Sequence, residues 1–390
     1  MSATVVANYP TPVLEIVTNL LGGISFFLVG LSKLSSGMKR LAGSKMKKLI
    51  VSLTSHPIKG LLTGMVVTGL SNSLTLVSVL LVGFVGTGLL QFESTIPVLL
   101  GAGIGSTLIS LLVALKVTKY GLLLVAIGYF YPKCICGSRQ PKRKASSPNL
   151  RNPGREEVVD SRNDIAQCIF GLGLIFYGSQ VLGSTFGFLG TNPRFVAFLE
   201  QLHSPILGLI TGFFLTVLVN SSGAAIGIFL SLSEHGLLDG RAGIAMVLGA
   251  NVGTCVTACI AGLSQGRGPL EVAMALVLMR LVGAIFFTFA ISGLQKVSKA
   301  VCGISTSADI ALLAAEPGHV HPDDAISLDV SCQIAASHTL FNIAIAILFL
   351  PAIRPYANIV RKVVDRLLRD RKVVTSPTVS HPPALGITVV

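Results

Sequence analysis

PIKGLLTGMVVTGLSNS at residues 57–73 returns as PILGLITGFFLTVLVNS at residues 205–221, and the reading of this pair decides the fold. Pro57, Gly60, Thr63-Gly64, Thr68, Leu70 and Asn72-Ser73 recur as Pro205, Gly208, Thr211-Gly212, Thr216, Leu218 and Asn220-Ser221. Further along, Gly88-Leu89-Leu90 recurs as Gly236-Leu237-Leu238, and Gly101-Ala102 with Gly105 recurs as Gly249-Ala250 with Gly253. The differences 220 minus 72, 236 minus 88 and 249 minus 101 all give 148. The register never slips, so one unit is used twice.

Each copy is an apolar run with a polar midpoint. As a single helix, residues 57–88 would be about 48 Å long, against a hydrocarbon core of about 30 Å. Ser71-Asn72-Ser73 falls at the centre of that run. The pattern predicts a re-entrant hairpin of two half-helices over 57–88, and a second over 205–236 with Asn220-Ser221-Ser222-Gly223 at its tip. Irregular backbone at such depth is tolerated only beside protein or a watery cavity. Paired apolar repeats with amides and hydroxyls at mid-span predict a secondary transporter.

Composition supports a chain that lives in lipid. Hydrophobic residues make up 51% and charged residues 12% of the sequence, and mean hydropathy is +0.76. These values define an all-α polytopic membrane protein in contact with the lipid bilayer. The net charge of +13 does not mark a nucleic-acid partner, because the basic residues lie between apolar spans and in the tail, not on one helix face or among aromatics. The seven cysteines are scattered, and Cys255 and Cys259 fall inside an apolar span, so neither a disulfide framework nor a zinc site is expected. The first apolar stretch has no basic region before it and no small-residue cleavage site after it, and reads as a retained helix. Paired carboxylates, metal-ligand clusters and activated nucleophiles are not evident at membrane depth, so an enzyme is not expected.

The spans divide the chain into a membrane repeat over 13–132, a basic linker over 133–163, a second repeat over 164–295, a loop over 296–326, a final transmembrane helix over 327–351 and a basic tail over 352–390. With the N-terminus outside, Lys39, Arg40, Lys45, the linker cations Lys142, Arg143 and Lys144, and the tail cations Arg354, Arg361 and Arg366 all reach the cytoplasmic face. Asp309, Glu316, Asp323 and Asp324 fall in the extracytoplasmic loop, as the positive-inside bias requires. Three crossings per repeat is an odd number, so the second copy is expected upside down relative to the first. The basic loops could also touch lipid headgroups.

Where one half-helix ends and another begins, backbone N–H and C=O groups lack intrahelical partners. Half-helix N-termini attract anions, and freed carbonyls and hydroxyls suit small hard cations such as sodium. Asn72, Ser73 and Thr75, with Asn220, Ser221, Ser222 and Gly223, are therefore the candidate substrate-binding residues. Their alternative role is simple capping of the half-helices. Gly101 to Thr107 and Gly249 to Cys255 interrupt the next spans; Ser106, Thr107, Asn251 and Thr254 are the candidate ion ligands there. The small-x-x-x-small pairs Gly101 to Gly105 and Gly249 to Gly253 equally suit close helix packing. Arg280 within an apolar span is costly and could meet an anion, bond to Glu271 or reach carbonyls. His338 and Asn342, spaced i, i+4, share a helix face and suit interhelical hydrogen bonds. His319, His321, Asp323 and Asp324 offer metal-ligand types in the loop.

The tips resemble the paired Gln-Ser-Ser-Ser motifs of the type II sodium/phosphate cotransporters. Gly249 to Thr254 is similar to that family's Gly-Ala-Asn-Ile-Gly-Thr run, and Ser337-His338-Thr339-Leu340-Phe341-Asn342 resembles its His-x-x-Phe-Asn signature. The resemblance implies uptake of inorganic phosphate driven by sodium ion, by alternating access around the two tips, with sodium as coupling ion and no other cofactor. It also implies an integral, multi-pass protein of the plasma membrane. The chain departs from the pattern: asparagine replaces glutamine at both tips, Ser73-Leu74-Thr75 and Ser221-Ser222-Gly223 replace the serines, and Gly103 stands where the second copy has Asn251. Arg280 stands where a further His-x-x-Phe-Asn element is often found. Proton coupling, a different oxyanion, and a non-transporting membrane anion sensor or scaffold are the alternatives.

Overall fold

A computed structural model describes residues 12–42, 56–114, 120–135, 161–202, 204–313 and 322–375. Among these residues the chain is helical throughout its regular structure, with no strand. The first repeat contains α1 (Pro12–Ala42), α2 (Pro57–Ser71), α3 (Leu74–Gly86), α4 (Phe92–Gly105), α5 (Leu108–Ala114) and α6 (Gly121–Ile135). The second contains α7 (Ser161–Leu189), then α8 (Pro193–Gln201), and α9 (Pro205–Val219), α10 (Ser222–Glu234), α11 (Gly240–Gly253), α12 (Cys255–Leu263) and α13 (Arg267–Phe289). After them come α14 (Ile291–Leu313), α15 (Pro322–Phe349) and α16 (Ile353–Thr375). The offset read from the sequence governs the helix bounds as well: 205 minus 57, 222 minus 74 and 240 minus 92 each give 148.

Local chemistry sets the breaks. α2 and α9 each open with proline at the first turn, where its missing N–H costs nothing. Both end at asparagine in the left-handed region, Asn72 at φ 48 and Asn220 at φ 54, a conformation that asparagine tolerates better than most side chains. The next residue is extended and restarts the helix. Ser73 Oγ accepts from the Leu76 N–H at 3.1 Å and Ser221 Oγ from the Ala224 N–H at 3.2 Å. These N-caps are worth about 1 kcal/mol each. Half-helices of 15 and 13 residues reach only about 20 Å, short of a hydrocarbon core of about 30 Å, so neither half spans alone.

Among the described residues six other stretches are long and apolar enough to cross: Val13–Leu41, Phe92–Ala114, Arg162–Leu189, Gly240–Leu263, Arg267–Phe289 and Val330–Phe349. The apolar part of α6, Gly121–Tyr131, is shorter. α1 lies along α7, α2 along α4, and α9 along α11, while α3 turns away to α12 and α13, and α10 to α5, α7 and α15. Small residues permit the close pairs. A Cβ on Gly101 would run into the carbonyl of Leu61, and one on Gly249 into the carbonyl of Leu209, so these glycines fill the packing role considered for them.

The packed interior forms two bodies. One joins Val77 and Leu81 of α3 and Leu99 of α4 to Leu276 and Met279 of α13 and Phe341 of α15. The other joins Phe27, Ile109 and Ile175 to Phe229 of α10, Val247 of α11 and Ile334 of α15. α11 and α15 contribute to both, so the repeats interlock.

Three expectations are corrected. Residues 296–313, read as loop, continue α14, and part of the tail forms α16. α16 is amphipathic and docks through buried Ala357, Val360 and Val364, with Tyr356 donating to the Ala275 carbonyl. Its polar side pairs Arg361 with Glu93 at 2.9 Å and Asp365 with Arg267 at 3.0 Å. Finally, two of the scattered cysteines meet: Cys302 of α14 and Cys332 of α15 form a disulfide. Spacing could not reveal that pair, because the helix pairing that joins them is set in space. Most of the linker, and the side chains of His319, His321, Asp323 and Asp324, lie outside the described residues.

Candidate functional site

The two breaks converge. Asn72, Ser73, Leu74 and Thr75 face Asn220, Ser221, Ser222 and Gly223 across a cavity of about 40 Å³, closed by Ser106 and Thr254. That volume holds about three waters, the scale of one small inorganic ion and not of an organic substrate. A larger cleft of about 530 Å³, lined by Lys33, Arg40, Tyr129 and Asp164, lies between α1, α6 and α7. Its wall includes the salt bridge of Arg40 to Asp164 at 2.5 Å, and none of the tip residues lines it.

Polar groups face the small cavity from every side. The N-terminal turns of α3 and α10 end there, so their free N–H groups and positive dipole ends favour an anion. Asn220 Oδ1 accepts from the Thr257 hydroxyl at 2.8 Å, and Ser35 of α1 donates to the Ser71 carbonyl at 2.5 Å. One turn before each asparagine stand Thr68 and its repeat mate Thr216. Both are buried, and their hydroxyls have no hydrogen-bond partner; the same holds for Ser71. The recurrence of Thr68 as Thr216 was visible in the sequence, but its burial was not.

Of the candidate ion ligands, Ser106 and Thr254 reach the cavity. Their hydroxyls also donate to the carbonyls of Gly103 at 2.7 Å and Ala250 at 2.9 Å. Thr107 donates to the Ile104 carbonyl at 2.8 Å and Asn251 lies a turn deeper. There Asn251 Oδ1 accepts from Arg280 at 3.1 Å and from the Asn342 amide at 3.4 Å. Arg280 also donates to Asn342, and its guanidinium sits 5.8 Å from the Phe341 ring centroid. The Glu271 partner considered for Arg280 is taken by Arg267 at 3.0 Å. Nearby, His338 Nδ1 lies 3.1 Å from Ser110 Oγ, an interhelical bond of the kind expected. Among the described residues no group of three His, Cys, Asp or Glu side chains could hold a metal ion.

These features define a multi-pass membrane protein with paired broken helices around one ion-sized polar cavity. A model of the family described as Na+/Pi-cotransporter matches residues 26–148 and 190–308, and the chain belongs to that family. It is 28% identical to "Uncharacterized protein YqeW" of Bacillus subtilis (strain 168) over 84% of this chain and 92% of that protein. It is 34% identical to the human "Sodium-dependent phosphate transport protein 2B" over 26% of this chain and 15% of that protein. The corresponding rabbit (Oryctolagus cuniculus) "Sodium-dependent phosphate transport protein 2A" is 38% identical over 22% of this chain and 14% of its own length. The chain therefore aligns with about a seventh of these two mammalian proteins. No solved structure matches.

Proposed function

We propose that this protein imports inorganic phosphate together with sodium ion, by alternating access around the two tips. The observation that carries this reading is the meeting of Asn72-Ser73 with Asn220-Ser221-Ser222 across one cavity. Two half-helix N-termini aimed at the same small space supply N–H groups and favourable dipoles for an oxyanion. The hydroxyls of Ser106 and Thr254 at the cavity wall supply hard oxygens, the ligand type a sodium ion takes, and the unpartnered hydroxyls of Thr68, Ser71 and Thr216 lie within about a turn of the two asparagines in sequence. Family membership and the names of the mammalian relatives support the substrate and the coupling ion.

In this reading the two repeats are inverted, the positive-inside bias holding one tip toward each leaflet. Two oppositely oriented copies of one unit give outward- and inward-open states of similar energy, and ligand binding has only to bias that equilibrium. The asparagines in place of glutamine at both tips favour a second reading, another oxyanion in the same cavity. Labelled phosphate uptake into proteoliposomes decides. Uptake that needs a sodium gradient, survives sulfate and falls when Asn220, Ser221 or Ser222 becomes alanine supports phosphate symport. Uptake unchanged by replacing sodium with choline, or by all three substitutions, overturns it; dominant competition by sulfate selects the second reading.

A further inference from the structure

The helix that completes the first half of the site is matched, in space, by one from outside the repeat. α13 packs against α3, α4, α11 and α12, and α15 packs against α10, α11, α4 and α5. Exchanging each of these elements for its repeat mate turns one set into the other, so α13 and α15 hold equivalent places. Their residues can then be compared across the pseudo-symmetry. On one side the Asn342 amide of α15 bonds to Asn251 of α11 at 3.4 Å. On the other, the mate of Asn251 is Gly103, and a Cβ there would collide with the Arg280 guanidinium of α13 and with the Asn342 amide oxygen it bonds. At this register Leu276 matches His338, and the mate of Ser110 is Ala258. The second-repeat position thus carries an amide of its own, whereas at position 103 no side chain stands and the Arg280 guanidinium, with the Asn342 amide oxygen it bonds, fills the space a side chain would take.

Among the described residues nothing neutralises that cation. Arg280 is 1% exposed, its hydrogen bonds go to the neutral amide oxygens of Asn251 and Asn342, and its Nε has no partner. Among the described residues no carboxylate lies within ion-pair reach of it. Gly103 and Asn251 each stand three residues, one helical turn, from Ser106 and Thr254 at the cavity wall. An unmatched buried charge is costly, and an anion in the adjoining cavity offsets it. A mobile cation in the same half would be repelled.

We propose that Arg280, seated over Gly103, is a tethered counter-cation that replaces one mobile coupling cation in the first-repeat half of the site. The proposal rests on the transport reading above. It makes Arg280 an anion-selecting residue, and it makes this chain move one sodium fewer per phosphate than a site with asparagine in both halves.

The test measures phosphate uptake into proteoliposomes against sodium concentration, at constant ionic strength with choline, for the wild type, Arg280→Lys, Arg280→Gln and the Gly103→Asn/Arg280→Asn pair. Expected are a wild-type sodium order retained by Arg280→Lys, an apparent phosphate affinity weakened about tenfold or more in Arg280→Gln, and a sodium order higher by one ion in the double variant. Phosphate uptake with the same sodium order in the double variant and the wild type overturns the tether and leaves the transport reading intact. A wild type that takes up no phosphate overturns both. If the double variant does not yield folded protein, thermal stabilisation by inorganic phosphate decides between the single variants: retention in Arg280→Lys with loss in Arg280→Gln supports the tether, and equal stabilisation overturns it.

Discussion

Asn72 and Asn220 each do two things that glycine and alanine separate. Their backbones sit at positive φ, which costs most L-residues about 1–2 kcal/mol, while their amides reach the cavity. Asn220→Gly keeps the turn and deletes the amide; Asn220→Ala deletes both. The expected outcome is near wild-type thermal stability with lost uptake for Asn220→Gly, and a further stability loss of about 1 kcal/mol for Asn220→Ala. Unfolding in detergent beside uptake in proteoliposomes checks the pair, and full uptake by Asn220→Gly would remove the amide from the site. The tips were legible in the sequence because an apolar run too long for one span, with amide and hydroxyls at its centre, has to fold back where they stand. The Arg280 arrangement was only half legible: its presence in an apolar span was plain, but its seat over Gly103 depends on α13 crossing α4, a pairing that no local pattern encodes.

At the scale of elements, backbone contact between paired helices should dominate stability. Gly101→Ala and Gly249→Ala each push a methyl into a facing carbonyl and should cost about 1–3 kcal/mol. Gly293→Ala in α14 meets open space and should gain up to about 1 kcal/mol through helix propensity. Thermal unfolding of the three variants tests the assignment; equal effects would contradict it. The repeat offset made the two hairpins over 57–88 and 205–236 readable in advance, since Pro, Asn-Ser and Gly punctuation recurs with it. α14 and α16 were misread because both carry many polar residues, and the apolar pattern that marks a membrane span says nothing about helices lying beyond it. The Cys302–Cys332 disulfide ties α14 to α15; opening it in a Cys302→Ser/Cys332→Ser variant should cost about 2–4 kcal/mol, read as a lower unfolding midpoint that reductant does not shift further.

For the whole molecule, the decisive quantity is orientation. Disulfides persist in oxidising compartments, so the Cys302–Cys332 pair predicts that this end faces outside, the same side that the charge bias predicts by putting the tail inside. Lys299→Cys on α14 and Arg366→Cys on α16 are both exposed positions. A membrane-impermeant thiol reagent added to intact cells should label the first and spare the second until the membrane is opened. The reverse labelling would reverse the topology.

The place of α15 sets the order in which this protein can become functional. It packs against α4 and α5 of the first repeat and α10 and α11 of the second, yet it begins only at Pro322. A nascent chain that has inserted both repeats still has an open seam along each of them. The cradle closes only once α15 has left the ribosome, so a chain cut short before α15 would be inserted but unassembled, its polar tips unsupported in lipid and open to the proteases that clear unfinished membrane proteins.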